Sequence, residues 1–402
     1  MVSAVTAADP RAGSLVFLVF ALLAGHSIGS MAMLVMPAVA PDVARDYGVD
    51  HSYVGYQISL VTVGLLFSLL FLGNLSRKLG PARTNQMGHI ALAISMLILL
   101  VPSPAVAIVG SIAIGVGYGF LAPSASALMV QFTPSSKRNI VFSIQQTGVP
   151  FGGVLAALIA PPIAVAVGWR WSLVVTAVLL LGAAALMQRR RAEWDADRVP
   201  DAPAIALNPL ATLGMIWRDR RLRLMAFIGS CFSWGQFVVA SFTVVACVTM
   251  LGMSLIVAGT VLMVVQIGNI GGRIVAGWIA DRIGSARVLG WISGMWLVNA
   301  LVAATMTPAW PLLWLYLLFG FLGMTTGAWA GLVMAEIGRL APTGQVSTAV
   351  GGSLAYVNMG KFIGPIIFVN VYLATGSYGI AFATLAVPAT AAIYCISRLR
   401  RV

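Results

Sequence analysis

The chain is predicted to be an all-α membrane protein with twelve transmembrane helices in two pseudo-symmetric six-helix bundles. Three observations predict this. Of 402 residues, 60% are hydrophobic and 9% are charged, against about 25% charged in soluble domains. The apolar residues gather into twelve runs near the roughly 20 residues that cross a hydrocarbon core as helix. A glycine-bounded turn recurs 204 residues apart, with six runs separating the two copies.

In order, the first run (14–38) carries His26 at its middle, and the second (52–74) ends in the first turn, with Gly73, Arg77 and Gly80. The third (85–101) holds His89 and the fourth (105–131) Tyr118. The fifth (141–164) opens on Gln145, Gln146 and the glycines Gly148, Gly152 and Gly153; the sixth is 169–188. The seventh (224–250) has Trp234 and Gln236. The eighth (254–280) has Gln266, Asn269 and Arg273 and ends in the second turn, with Gly277, Asp281, Arg282 and Gly284. The ninth (288–306) is followed by the tenth (311–336), with Trp329. The eleventh (346–374) holds Tyr356, Asn358 and Lys361, and the twelfth is 377–397. Gly, Ala and Ser recur in these runs and allow helices to approach closely in lipid. The longest polar stretch, with three consecutive arginines, lies between the sixth and seventh. The expected organisation is an N-terminal bundle over 1–188, a cytoplasmic linker over 189–223 and a C-terminal bundle over 224–402.

Basic residues orient the chain. With the N-terminus cytoplasmic, 20 of the 24 Lys and Arg fall on the cytoplasmic side, among them Arg77, Lys78, Arg83, Lys137, Arg189 to Arg191, Arg282, Arg400 and Arg401. Only Arg45 and Arg170 fall outside. Both termini are expected in the cytoplasm, in a cell membrane of the bacterial inner-membrane kind. The net charge of +13 sits in inter-helical loops, which argues for the lipid bilayer and against nucleic acid as partner.

The remaining cations, Arg273 and Lys361, lie inside runs. An arginine in hydrocarbon costs at least about 3 kcal/mol and stays charged at any accessible pH. Gln266, Asn269 and Arg273 are spaced i, i+3, i+7 and share one helix face. Arg273 either contacts substrate or anchors an inner gate by bonding helix-end carbonyls or Asp281. Lys361 lies about 15 residues into its run, too deep to snorkel readily. Asn358 is one turn away. No acid is placed at the same depth, so the pair predicts a positive cavity completed by an anion, and it leaves a transported cation without a carboxylate cage. Proton coupling would fall to His26, His89, Glu336 or Lys361. The three cysteines sit in apolar runs and form no disulfide or metal spacing. No cofactor is expected, and there is no metallopeptidase motif, P-loop or nucleophile elbow. The protein is expected not to be an enzyme or a self-contained ATP-driven pump. Twelve helices around one cavity need no partner subunit, so a monomer is expected.

The second turn, Gly277-x-x-x-Asp281-Arg282-x-Gly284, resembles the loop signature of the major facilitator superfamily. The first copy has Arg77 where that family has Asp. The resemblance implies the major facilitator fold; the six-helix repeat itself points to a substrate site between the halves near the membrane midplane and to the two turns as inside gates. Gly148-Val149-Pro150-Phe151-Gly152-Gly153 is similar to part of an antiporter pattern in that superfamily. Ser111 stands where proton-coupled drug exporters have arginine. Within the superfamily, Arg273 four residues before Gly277, and Lys361 in the eleventh helix, resemble the oxalate–formate antiporter and monocarboxylate transporter branch.

The expected function is secondary active transport of a small organic anion, a mono- or dicarboxylate, by alternating access, as symport or antiport. Arg273 and Lys361 would hold the anion, with Asn269, Gln266, Asn358, Gln146, Tyr118, His26, Trp234 and Tyr356 around it. The alternative is efflux of amphipathic drugs, which would tolerate loss of Arg273. A receptor or scaffold would need a large soluble domain or a specific tail.

Overall fold

A computed structural model describes residues 10–134, 138–205, 209–341 and 346–399. Lys137, Arg400 and Arg401, used above to orient the chain, lie outside them. The described residues form helices joined by turns, with no strand among them. Eleven described helices are long and apolar enough to cross a membrane, from Leu15–Ala38 to Tyr378–Leu399. The third run forms an 18-residue helix, Pro81–Ile98, that is more polar than the others. Its Thr84, Asn85, Gln86 and His89 are buried. Asn85 Nδ2 donates to Ser124 Oγ at 2.8 Å, and Gln86 Nε2 donates to the Ala184 carbonyl at 3.0 Å. Neighbouring helices thus satisfy polar groups that lipid would leave orphaned.

That helix starts four residues before its predicted boundary, and the ninth, Ser285–Ala303, starts three before. Both follow the same glycine joint. Gly80 adopts φ 98°, ψ 148° and Gly284 adopts φ 90°, ψ 143°, a region essentially reserved for glycine. The joint lets one helix end and the next begin without a loop, and in the first copy Pro81 also presets the helical first turn.

Three runs predicted as single helices are broken. The fifth is Arg138–Gln146 followed by Gly148–Val167, and the tenth is Leu312–Gly327 followed by Trp329–Leu340. The twelfth is Tyr378–Ala383 followed by Ala386–Leu399. Pro150 explains the first break. It has no N–H to offer the Gln146 carbonyl four residues earlier, so that carbonyl is free for another donor.

The repeat seen in the turns extends to helix contacts. Gly64 packs on the Ile112 carbonyl, and Gly268, 204 residues later, packs on the Gly320 carbonyl. Gly152 meets the Ser27 carbonyl of the first helix, and Gly360 meets the Ser230 carbonyl of the seventh. A Cβ at any of these four would overlap backbone, so glycine sets the helix spacing.

Helices before and after the linker meet most closely away from the termini. Gly55 sits against the Phe242 ring, which stacks on Phe368 at 4.0 Å between centroids. Ser59 Oγ donates to the Phe362 carbonyl at 2.7 Å, and Asn370 Nδ2 donates to Tyr56 Oη at 3.1 Å. This packing closes the helices against one another at the end opposite the termini.

At that end, Asp46 accepts from Trp169 Nε1 at 2.8 Å and from Arg170 Nη1 at 2.6 Å. The Trp169 bond, helped by Arg170, holds its carboxyl below the usual range. A depressed native value means the contribution is present above the unfolded value, about 3.9, and is lost as pH falls through the lowered one. Asp46→Asn is therefore expected to lower the melting temperature at neutral pH, by a small amount because the group is largely exposed. The gap to wild type should close in melts taken below about pH 4.

At the termini end, Asp195 reaches back from the linker to the first turn. Its two carboxylate oxygens accept from the N–H groups of Ala82 (2.7 Å) and Arg83 (3.1 Å), and Val199 N donates to the Arg77 carbonyl at 2.8 Å. Burial pushes the Asp195 carboxyl up against the opposing pull of these two N–H groups.

Candidate functional site

Lys361 is 2% exposed, midway along helix Val346–Thr375. Its ammonium donates to Met33 Sδ at 2.9 Å and sits over the Phe237 ring at 4.3 Å and the Tyr118 ring at 5.6 Å. The first, fourth and seventh helices supply these contacts. Sulfur and π-faces are weak acceptors, and among the described residues no carboxylate contacts this charge.

Tyr118 leads into a polar chain. Its hydroxyl lies 3.0 Å from Ser30 Oγ and 3.3 Å from His26 Nε2, and His26 Nδ1 lies 3.1 Å from Gln145 Nε2. All four side chains are buried. His26 has two hydrogen-bonding neighbours on other helices, so it is more than an isolated packing residue. His89, bonded to the Asn85 and Gly25 carbonyls, is a packing residue.

Arg273 lies at the side of this cluster facing the termini. Nε donates to Asn269 Oδ1 at 3.0 Å, and Nη1 donates to the Gln146 carbonyl at 3.1 Å. This is the carbonyl released by Pro150, so Arg273 joins the eighth helix to the break in the fifth. Gln266, one face-step away, packs on Gly153 of the fifth helix. The helix-end bond expected of a gate anchor is thus present, to Gln146 rather than to Asp281.

The structure therefore brings Lys361, Tyr118, His26, Arg273, Asn269 and Gln266 to the contact between the fourth, first, fifth, seventh, eighth and eleventh helices. Others fall elsewhere. The side chain of Gln146 is exposed, and the buried amide is that of Gln145. Tyr356 Oη donates to the Leu213 carbonyl at 3.1 Å and its ring faces Trp217, so it pins the linker helix Pro209–Arg218 instead of walling the cavity. Asn358 spends its amide on its own helix at the Leu354 carbonyl. Trp234 packs on Gly364, one turn from Lys361, and its indole N–H is buried without an acceptor among the described residues. Gln236 accepts from Trp329 Nε1 at 2.9 Å.

Ser30, Met33 and Phe237 were not singled out from sequence. Each carried the same kind of signal: Phe237 lies one turn after Trp234, and Ser30 and Met33 lie four and seven residues after His26, on one helix face. In the turns, Gly73 is exposed, Arg77 contributes its carbonyl to the linker, and Gly80 and Gly284 form the joints. Gly277 is unconstrained by neighbours and Asp281 is exposed. Arg282 stacks on Trp278 at 3.5 Å and donates to its carbonyl.

A family model described as Major Facilitator Superfamily matches residues 19–368. The gentisate transporter of Corynebacterium glutamicum is 22% identical over 92% of this chain and 84% of its own length. Human monocarboxylate transporter 11 is 27% identical over 62% of this chain, which spans 54% of that protein. Among solved structures, a bacterial homolog of the human lysosomal transporter Spinster, inward-facing and occupied, superposes with a TM-score of 0.75 over 98% of both chains at 14% identity.

Proposed function

The chain belongs to the Major Facilitator Superfamily, and from that premise we propose that it moves a small organic anion, a mono- or dicarboxylate, by alternating access. It is a multi-pass membrane transporter and not an enzyme. The observation that carries the anion reading is Lys361, a cation buried against sulfur and aromatic rings with no carboxylate contact among the described residues. Desolvating an ammonium without an anionic partner costs several kcal/mol. A carboxylate entering beside it supplies the missing charge and an acceptor for the Trp234 N–H. The flanking rings of Tyr118 and Phe237 suit a substrate with a flat apolar body. Gentisate, named in one relative, is an aromatic carboxylate of that kind.

Arg273 holds the substrate's path at the termini side. It binds the anion with the part of its guanidinium not committed to Asn269 and Gln146, or breaks its bond across the interface when the halves separate. Residues 1–188 and 224–402 rock as two bundles, linked by 189–223, with both termini in the cytoplasm and the opposite end outside. The two glycine-joint turns act as inside gates, and the transporter works as a monomer. Coupling to protons runs through Lys361 or the His26–Tyr118 chain, or is replaced by anion exchange.

The test is uptake into proteoliposomes of labelled benzoate, gentisate, lactate, oxalate and formate, with and without a pH gradient. Saturable uptake of at least one anion is expected. Absence of uptake for the whole panel, with transport of a cationic amphipathic dye instead, would establish the drug-efflux reading.

A further inference from the structure

A second cluster of cations lies away from Lys361 and Arg273. Where the linker folds back on the first turn, Lys78, Leu79, Arg83, Arg191, Asp195, Arg198 and Pro200 enclose a cavity of about 370 Å³. It holds four cations and one acid. Both oxygens of the acid, Asp195, accept from the backbone N–H groups of Ala82 and Arg83, and its single charge, felt by Arg191 and Arg198, leaves the cavity with a net excess of positive charge. None of the four cations forms an ion pair among the described residues, although Arg190 alongside is paired with Glu193 at 3.0 Å. Lys78 and Arg191 are half-buried. Their positions are fixed by the Gly80 joint, the Asp195 cap and the Val199–Arg77 backbone bond.

The cavity's depth is informative. Phe67 and Phe71 on the second helix, and Ile90 and Ile94 on the third, are exposed apolar side chains on the two helices that the first turn joins. In a bilayer that takes those side chains into its hydrocarbon, the cavity beside the turn would fall near headgroup level. Basic pockets at that level attract anionic headgroups, with about 1 kcal/mol per cation. Arginine forks match phosphate oxygens bidentately. At about 30 Å³ per water, the volume accommodates a phosphate group with part of its hydration shell.

We propose that this cavity binds a phosphate group, carried by an anionic lipid headgroup or by a soluble phosphate, and so ties the linker to the first turn. The proposal is independent of the transported substrate.

The test uses the purified full-length protein in native mass spectrometry, titrated with phosphatidylglycerol, with phosphatidylcholine and with inorganic phosphate. Wild type is compared with R83Q/R198Q, which removes two exposed cations of the cavity. The control is R218Q/R220Q, which removes two exposed arginines elsewhere in the linker region. Wild type and control should retain phosphatidylglycerol over phosphatidylcholine, and R83Q/R198Q should weaken that binding roughly tenfold or more. If inorganic phosphate binds with the same variant dependence while the two lipids bind alike, the source is a soluble phosphate. If R83Q/R198Q and the control behave alike towards phosphatidylglycerol and phosphate, the cavity is not a site and the proposal fails. Lys78→Gln provides an independent check, and melting curves of every variant establish that the fold is retained.

Discussion

Lys361→Met is expected to cut anion uptake at least tenfold and, in the same protein, to raise the stability of the fold. The two effects have one cause. Lys361 is buried with its ammonium against Met33 Sδ and two aromatic rings, so its charge is desolvated without a compensating partner among the described residues. Replacing buried ionic groups by apolar ones of similar volume has been neutral or stabilising by about 1–4 kcal/mol. Methionine keeps the length of the side chain and adds no polar group. The substrate, by contrast, loses a charge-assisted hydrogen bond, a contribution of about 1.5–3 kcal/mol. That corresponds to a fall in uptake efficiency of roughly ten- to more than hundred-fold. Thermal unfolding in detergent and proteoliposome uptake, measured on the same preparation, check the prediction. A variant that transports as wild type, or that loses stability together with transport, would show that Lys361 is a structural residue.

Arg273→Lys is expected to be nearly as damaging as Arg273→Gln, with uptake reduced about a hundredfold in both. Arg273 places Nε on Asn269 and Nη1 on the Gln146 carbonyl, a divided contact from a planar fork that one ammonium cannot reproduce. The Gln146 carbonyl would be left without a donor because Pro150 has none to give, at a cost of about 1–3 kcal/mol. The second variant, Pro150→Ala, separates the two roles of Arg273. It returns an N–H to that carbonyl and should relieve the stability loss of Arg273→Gln without restoring uptake. If Pro150→Ala in the Arg273→Gln background restores transport, the arginine serves only to hold the broken helix. If Arg273→Lys transports normally, the fork is not needed at all.

How far the site was legible depended on the kind of signal. Arg273 and Lys361 stood out because charge is costly anywhere in an apolar run, whatever the packing around it. The spacing of Gln266, Asn269 and Arg273 placed them on one face, and they are found together. The glycine turns were legible as a repeat, although the departure at Arg77 gave no hint that Asp195 of the linker would cap the helix that follows. The choice between Gln145 and Gln146 was not legible. Adjacent residues point about 100° apart on a helix, and the break set by Pro150 turned Gln145 towards His26 and Gln146 outward. Tyr356 and Asn358 looked like cavity residues from their nearness to Lys361, yet one reaches the linker helix and the other its own backbone.

Composition, the roughly 20-residue apolar runs and the turn repeated at 204 residues by themselves determined that this is an all-α membrane protein and that two cations lie within its spans, while the superfamily was legible only as a resemblance of the second turn to a known loop signature. These are one-dimensional facts, because bilayer thickness and the cost of charge in hydrocarbon act on each segment separately. Tertiary structure alone decided that Lys361 meets Met33, Phe237 and Tyr118, that Arg273 bonds the carbonyl of Gln146, and that the linker folds back onto the first turn. Each of these joins residues more than 100 positions apart. Such contacts are set by how closely glycines such as Gly152 and Gly360 let the helices approach, and helical periodicity along a single run does not encode them.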